Sequence, residues 1–166
     1  MKRFLVLLLL LLVSPTALAD DQCRHINAHA FIQGQQFPCE YNDTEYFGCL
    51  NSSIRGTING SWDSYYQDYW WVSLDDLGVP TAYPSFYGRE FEVFTTKKGM
   101  VWGDAQFTID LRYAESGGGF AVETIVTGGT GMYEDAHGWI TAIVTDSEQT
   151  TFSVHGRVCG PNIDDD

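Results

Sequence analysis

Positive charge is scarce in this chain of 166 residues, where 9 Lys and Arg stand against 22 Asp and Glu and the formal charge is −13. A field of that sign repels phosphate backbones and anionic lipid headgroups, which excludes nucleic acid and membrane surfaces as partners. Helical patterning is also missing: no stretch of a dozen residues spaces its apolar side chains three and four apart. Apolar runs long enough to span a bilayer are absent, since the longest, Phe4 to Val13, is too short. No Cys-x-x-Cys, His-Glu-x-x-His, Gly-x-Ser-x-Gly or phosphate-binding loop occurs. His25 and His29, four apart on a strand, would stand about 13 Å from one another, too far to share a metal. Nothing in these patterns calls for a metal or an organic cofactor.

What is present begins with a leader. Lys2 and Arg3 precede the apolar run, and Ala17-Leu18-Ala19 supplies the small residues a signal peptidase accepts. The expectation is a cleaved signal peptide over 1–19 and a single domain over 20–166, secreted or periplasmic, with no membrane insertion after cleavage. Loss of Lys2 and Arg3 leaves 7 basic against 22 acidic residues, a formal charge of −15. Four cysteines then remain, an even count that suits an oxidising compartment and two disulfides. Of the three pairings we favour Cys39–Cys49, closing a short loop beside Pro38, and Cys23–Cys159, joining the chain ends. The second would be worth about 4–5 kcal/mol by loop entropy, and it requires the first and last strands to be neighbours.

β-Branched and aromatic residues fill short runs broken by Gly, Asn, Asp and Pro. Eight strands are expected: His25–Ile32, Ser53–Trp62, Tyr66–Leu74, Phe86–Thr95, Val101–Arg112, Gly119–Thr127, His137–Thr145 and Thr151–Val158. Lys97-Lys98-Gly99, Ser116-Gly117-Gly118 and Asp146-Ser147-Glu148-Gln149 read as turns, Asp75 to Ser85 as the longest loop, and Asp164 to Asp166 as a solvated tail. So many antiparallel strands must hide their edges. Periodicity leaves two solutions open, a closed barrel and a two-sheet sandwich.

Residues Thr127 to Gly138 read TGGTGMYEDAHG, a strand–glycine turn–strand unit. With Ala136 and Gly138 it resembles G-G-T-G-x-[FY]-x-x-A-x-G, a pattern of the barrel shared by allene oxide cyclases, dirigent proteins and their secreted bacterial relatives. Cys49 to Gly60, Phe94 to Gly99 and Gly156 to Cys159 are similar to further blocks of those relatives, so the resemblance spans about 51–160. It implies an all-β fold, an eight-stranded antiparallel β-barrel. It also implies an apolar small molecule as partner, cofactor-free isomerase or cyclase chemistry by positioning, and a homo-oligomer, dimer or trimer. A barrel that binds a ligand or its own copies without chemistry is the alternative.

A carboxylate facing an apolar interior can serve as general acid or base. Glu123, on a face with Ala121 and Ile125, is the first candidate, and Glu123→Gln should then abolish turnover. Glu92, between Phe91 and Val93, is the second. His137, where dirigent proteins show arginine before the glycine, is the third. Aromatics crowd Trp62 to Trp71 and Tyr83 to Tyr87, and Trp70, Tyr87 and Tyr133 are the candidates to line a pocket for an apolar or ring-containing molecule.

Overall fold

The computed structural model describes residues 22–74, 80–110, 119–146, 148 and 150–163, with the side chains of 71–84 left aside. The expected signal peptide, the Ser116-Gly117-Gly118 turn and the acidic tail lie outside the described residues, as do 75–79, 147 and 149 of two other expected loops.

The described residues form ten strands, eight of them long: β1 (Gln22–Gln36), β4 (Gly48–Gly56), β5 (Gly60–Leu74), β6 (Pro80–Thr96), β7 (Gly99–Asp110), β8 (Phe120–Gly129), β9 (His137–Val144) and β10 (Thr151–Gly160). They close into an antiparallel barrel of order β1-β10-β9-β8-β7-β6-β5-β4. The chain therefore folds as the eight-stranded antiparallel barrel expected from its sequence, and closure removes every long edge. Two short strands, β2 (Cys39–Tyr41) and β3 (Thr44–Tyr46), make a separate hairpin between β1 and β4.

Two of the expected strands need correction. Ser53–Trp62 is not one strand but a hairpin, and Tyr66–Leu74 is the second half of β5. Gly56 turns the chain at φ +149°, a conformation side chains disfavour. The Asn59 amide then clamps the turn, Nδ2 donating to the Gly56 carbonyl at 2.9 Å and Oδ1 accepting from the Gly56 N–H at 3.3 Å. The polar Thr57 and Asn59 flanking apolar Ile58 read as strand alternation, and hid this turn. The expected Asp75–Ser85 loop is also shorter, since β6 begins at Pro80.

Both favoured disulfides are present. Cys23 faces Cys159 across β1 and β10 with Cα atoms 4.0 Å apart, and Cys39 joins Cys49 across 6.0 Å. The second ties the β2–β3 hairpin to the barrel wall, where Tyr41 stacks on Tyr65 with ring centres 4.4 Å apart.

One end of the barrel is sealed. The glycine turn leaves β8 through a 3-10 turn at Gly131–Tyr133, led by Gly131 at φ +65°. It stacks on the Lys97–Lys98 turn, with the Met132 N–H donating to the Lys98 carbonyl at 3.0 Å. Tyr133, Ile58, Ala136 and Ile163 fill that end, all buried. Above them the interior is a ladder of rings: Phe94 stacks on Trp62 at 5.8 Å, Trp62 meets Phe152 at 5.4 Å, Phe152 meets Phe120 at 5.2 Å and Phe120 meets Phe107 at 6.2 Å.

Candidate functional site in the barrel mouth

The opposite end is open. A cavity of about 540 Å³ enters it, walled by Ile32 of β1, Phe86 of β6, Phe107 and Ile109 of β7, and Phe120 of β8. Phe37 and Phe47 flank the β2–β3 hairpin and lean over the cavity from one side. Phe37 stacks on Tyr66 at 6.3 Å, and Phe47 meets Tyr69 at 4.9 Å. Gln35, Glu148 and Thr150 supply its polar edge. The size suits one small ligand, and the lining is of the apolar kind such sites use.

Strand β5 reaches the cavity through a switch of faces. Its register with β6 shifts between Tyr66 and Asp68. Strict alternation would put Tyr66, Asp68 and Trp70 on one face. The shift lets Tyr66 and Tyr69 line the cavity while Asp68 pairs with Arg89 outside.

Tyr66 leads down to two buried acids. In register it faces Glu90, and Ser64 faces Glu92 one layer deeper. Both carboxyls are essentially free of solvent, at 1% and 0% exposure. Gly88, Glu90, Glu92 and Phe94 share the inward face, while Phe91 and Val93 take the other face of the strand, where Val93 is nonetheless buried. Gly103 and Ala105, opposite the two acids on β7, leave room for them.

The two environments differ. Glu92 Oε1 accepts from Trp62 Nε1 at 2.9 Å and from Ser64 Oγ at 3.2 Å, and its Oε2 accepts from the Thr124 hydroxyl. Burial pushes this carboxyl up, and the donors pull it back, so that it titrates at about 7. Neither oxygen of Glu90 has a hydrogen-bond partner. Desolvation and then the neighbouring Glu92 charge hold Glu90 well above the usual carboxylate range. The two carboxyls are close enough that each shifts the other, Glu90 upward and Glu92 downward. They therefore titrate as one coupled pair, raised above the usual carboxylate range. Tyr66 is raised by burial first and by Glu90 and Glu92 next, so its phenol stays protonated. Pairs of acids pushed apart in this way are suited to hold and hand over a proton.

The sequence candidates fall in several places. Glu92 sits at the centre of this cluster. Glu123 does not: it is exposed on the outer face of β8, because the face it shares with Ala121 and Ile125 is the outside, and Ile125 is itself 54% exposed. The premise of an apolar interior around Glu123 fails there. His137 is exposed at the start of β9, toward the sealed end. Trp70 and Tyr87 stack on each other on the outer wall at 6.5 Å, placed there by the β5 register shift, and do not line the cavity. Tyr133 is buried in the sealed end, remote from the mouth. Glu90, Tyr66 and the Phe37/Phe47 pair were missed. The period-two row Gly88-Glu90-Glu92-Phe94 was the signal for Glu90, had Phe94 been taken as inward. Among the described residues no group of three His, Cys, Asp or Glu side chains could hold a metal ion.

Comparison of the chain with protein-family models, with curated proteins and with solved structures finds no match.

Proposed function

We propose that this chain is a secreted β-barrel of the allene oxide cyclase and dirigent kind that binds an apolar small molecule in its open mouth. The observation that carries the reading is the cavity of about 540 Å³, walled by phenylalanine and isoleucine and roofed by a disulfide-tethered hairpin. The two disulfides suit an oxidising compartment. The lower barrel is filled by Trp62, Phe94 and Phe152, so the ligand occupies the upper half alone.

A second reading, cofactor-free isomerisation, is favoured by one observation: the Glu90–Glu92 pair directly behind Tyr66. Two coupled carboxyls that can share a proton are the minimum set for moving a proton within a bound molecule.

Native mass spectrometry of the oxidised protein against a panel of neutral apolar compounds tests binding. One molecule per chain is expected, with Phe120→Leu shifting the affinity order. A panel with no binder, or binding indifferent to Phe120, overturns the reading.

A further inference from the structure

The cavity's chemistry is more selective than apolar lining alone requires. Phe37, Phe47, Tyr66, Tyr69, Phe107 and Phe120 present aromatic rings to it, and the one formally charged side chain among its described lining residues is the Glu148 carboxylate. No lysine, arginine or histidine is found there among the described residues. Behind Tyr66 lie two further buried carboxyls. The chain as a whole is acidic, at −13. Among the described lining residues a negative headgroup would find no cationic partner, only the neutral donors of Gln35, Thr150 and the tyrosines. A positive one would meet ring faces, which attract cations through their quadrupoles, and a carboxylate at the edge.

We propose that the mouth pocket selects organic cations: molecules with an apolar body and an ammonium head seated among the Phe37, Phe47 and Tyr69 rings near Glu148. This rests on the binding reading above and deepens it by fixing the charge of the ligand. Fatty-acid anions are the class the pocket rejects. Phe37 and Phe47 are 55% and 51% exposed, so the head binds near the rim while the body runs down toward Phe107 and Phe120.

A matched series separates the two claims. Octyltrimethylammonium, octanol and octanoate share a tail and differ in charge. Calorimetric titration at pH 8 and fixed ionic strength should rank them in that order. The ammonium compound is expected about three- to tenfold tighter than the alcohol, the span of a partly desolvated cation–π contact. Octanoate is expected roughly tenfold weaker than the ammonium compound or worse. Octanoate binding as tightly as octyltrimethylammonium overturns the charge selection and leaves the pocket standing. Failure of all three to bind overturns the pocket itself. Phe47→Ala locates the cation: this exposed rim residue can be trimmed without disturbing the core, and the ammonium advantage over octanol should fall at least about threefold. An unchanged advantage would place the cation elsewhere on the acidic surface and overturn the proposal.

Discussion

Removing the proton-holding acid should make this protein more stable at alkaline pH. Glu92 has an ordinary carboxyl value of 4.5 when unfolded and about 7 in the barrel. Between those values the native state binds more protons than the unfolded chain, so stability falls as pH rises through the window. A rise of that size corresponds to about 3 kcal/mol, lost by pH 8. Glu90, raised by burial and by its neighbour, adds to the fall in the same direction. Asp68 and Asp146 are lowered from 3.8 and act below the window. The perturbation is Glu90→Gln, which keeps the shape and removes a group that has no hydrogen bond to lose. At pH 8 the variant should be more stable than the parent by about 1–3 kcal/mol, and near pH 4.5 the two should converge. Glu92→Gln should gain less, because a single amide oxygen cannot replace a carboxylate that accepts from Trp62, Ser64 and Thr124. Urea unfolding of the oxidised proteins, followed by tryptophan fluorescence in half-unit steps from pH 4.5 to 8.5, gives the curves. A parent stability that is flat or rises from pH 5 to 8, or a Glu90→Gln curve lying on the parent's at pH 8, would refute the buried-pair argument.

Trp62→Phe should cost about 1–3 kcal/mol in urea melts and raise the Glu92 titration seen by carboxyl-edited NMR, since it trims a buried indole to a benzene ring and removes the Nε1 donor. Gly131→Ala should lower Tm by several degrees, because an added Cβ at φ +65° would sit 2.4 Å from the Lys98 carbonyl oxygen; an unchanged Tm would remove the turn-on-turn stacking from the argument. Glu123→Gln, on the exposed outer wall, should leave ligand affinity unchanged and stability within about 0.5 kcal/mol, as titration and melting will show. The double change Cys39→Ser, Cys49→Ser frees the hairpin. It should cost about 2–3 kcal/mol by loop entropy and weaken mouth ligands more than it weakens the barrel, read as loss of affinity at temperatures where the far-ultraviolet signal is intact.

Much of the architecture was legible because its signals are local. Scarce helical spacing, hairpin-spaced breaks and the glycine turn point to antiparallel strands, and an even cysteine count with termini on neighbouring strands points to the Cys23–Cys159 link. The site was less legible because it depends on which face a strand turns inward. The β6 row puts Glu90 and Glu92 inside, against the polarity rule, and the Ser64, Trp62 and Thr124 donors that offset this for Glu92 come from other strands. Trp70 illustrates the same problem on β5: one extra residue near Gln67 moves it to the outer wall, and no side chain in Tyr65 to Tyr69 announces the shift. Phe37 and Phe47 read as loop residues in sequence, and become pocket residues because a disulfide between their neighbours folds them back over the mouth.

The pairing of the first strand with the last has a consequence for how the protein comes into being. Cys23 and Cys159 are 136 positions apart, yet β1 needs β10 as one of its two neighbours. The cylinder cannot be completed until the final strand has been synthesised, and so large a separation between partners makes closure slow. For that interval both margins of the forming sheet are unsatisfied, a hazard in any crowded compartment.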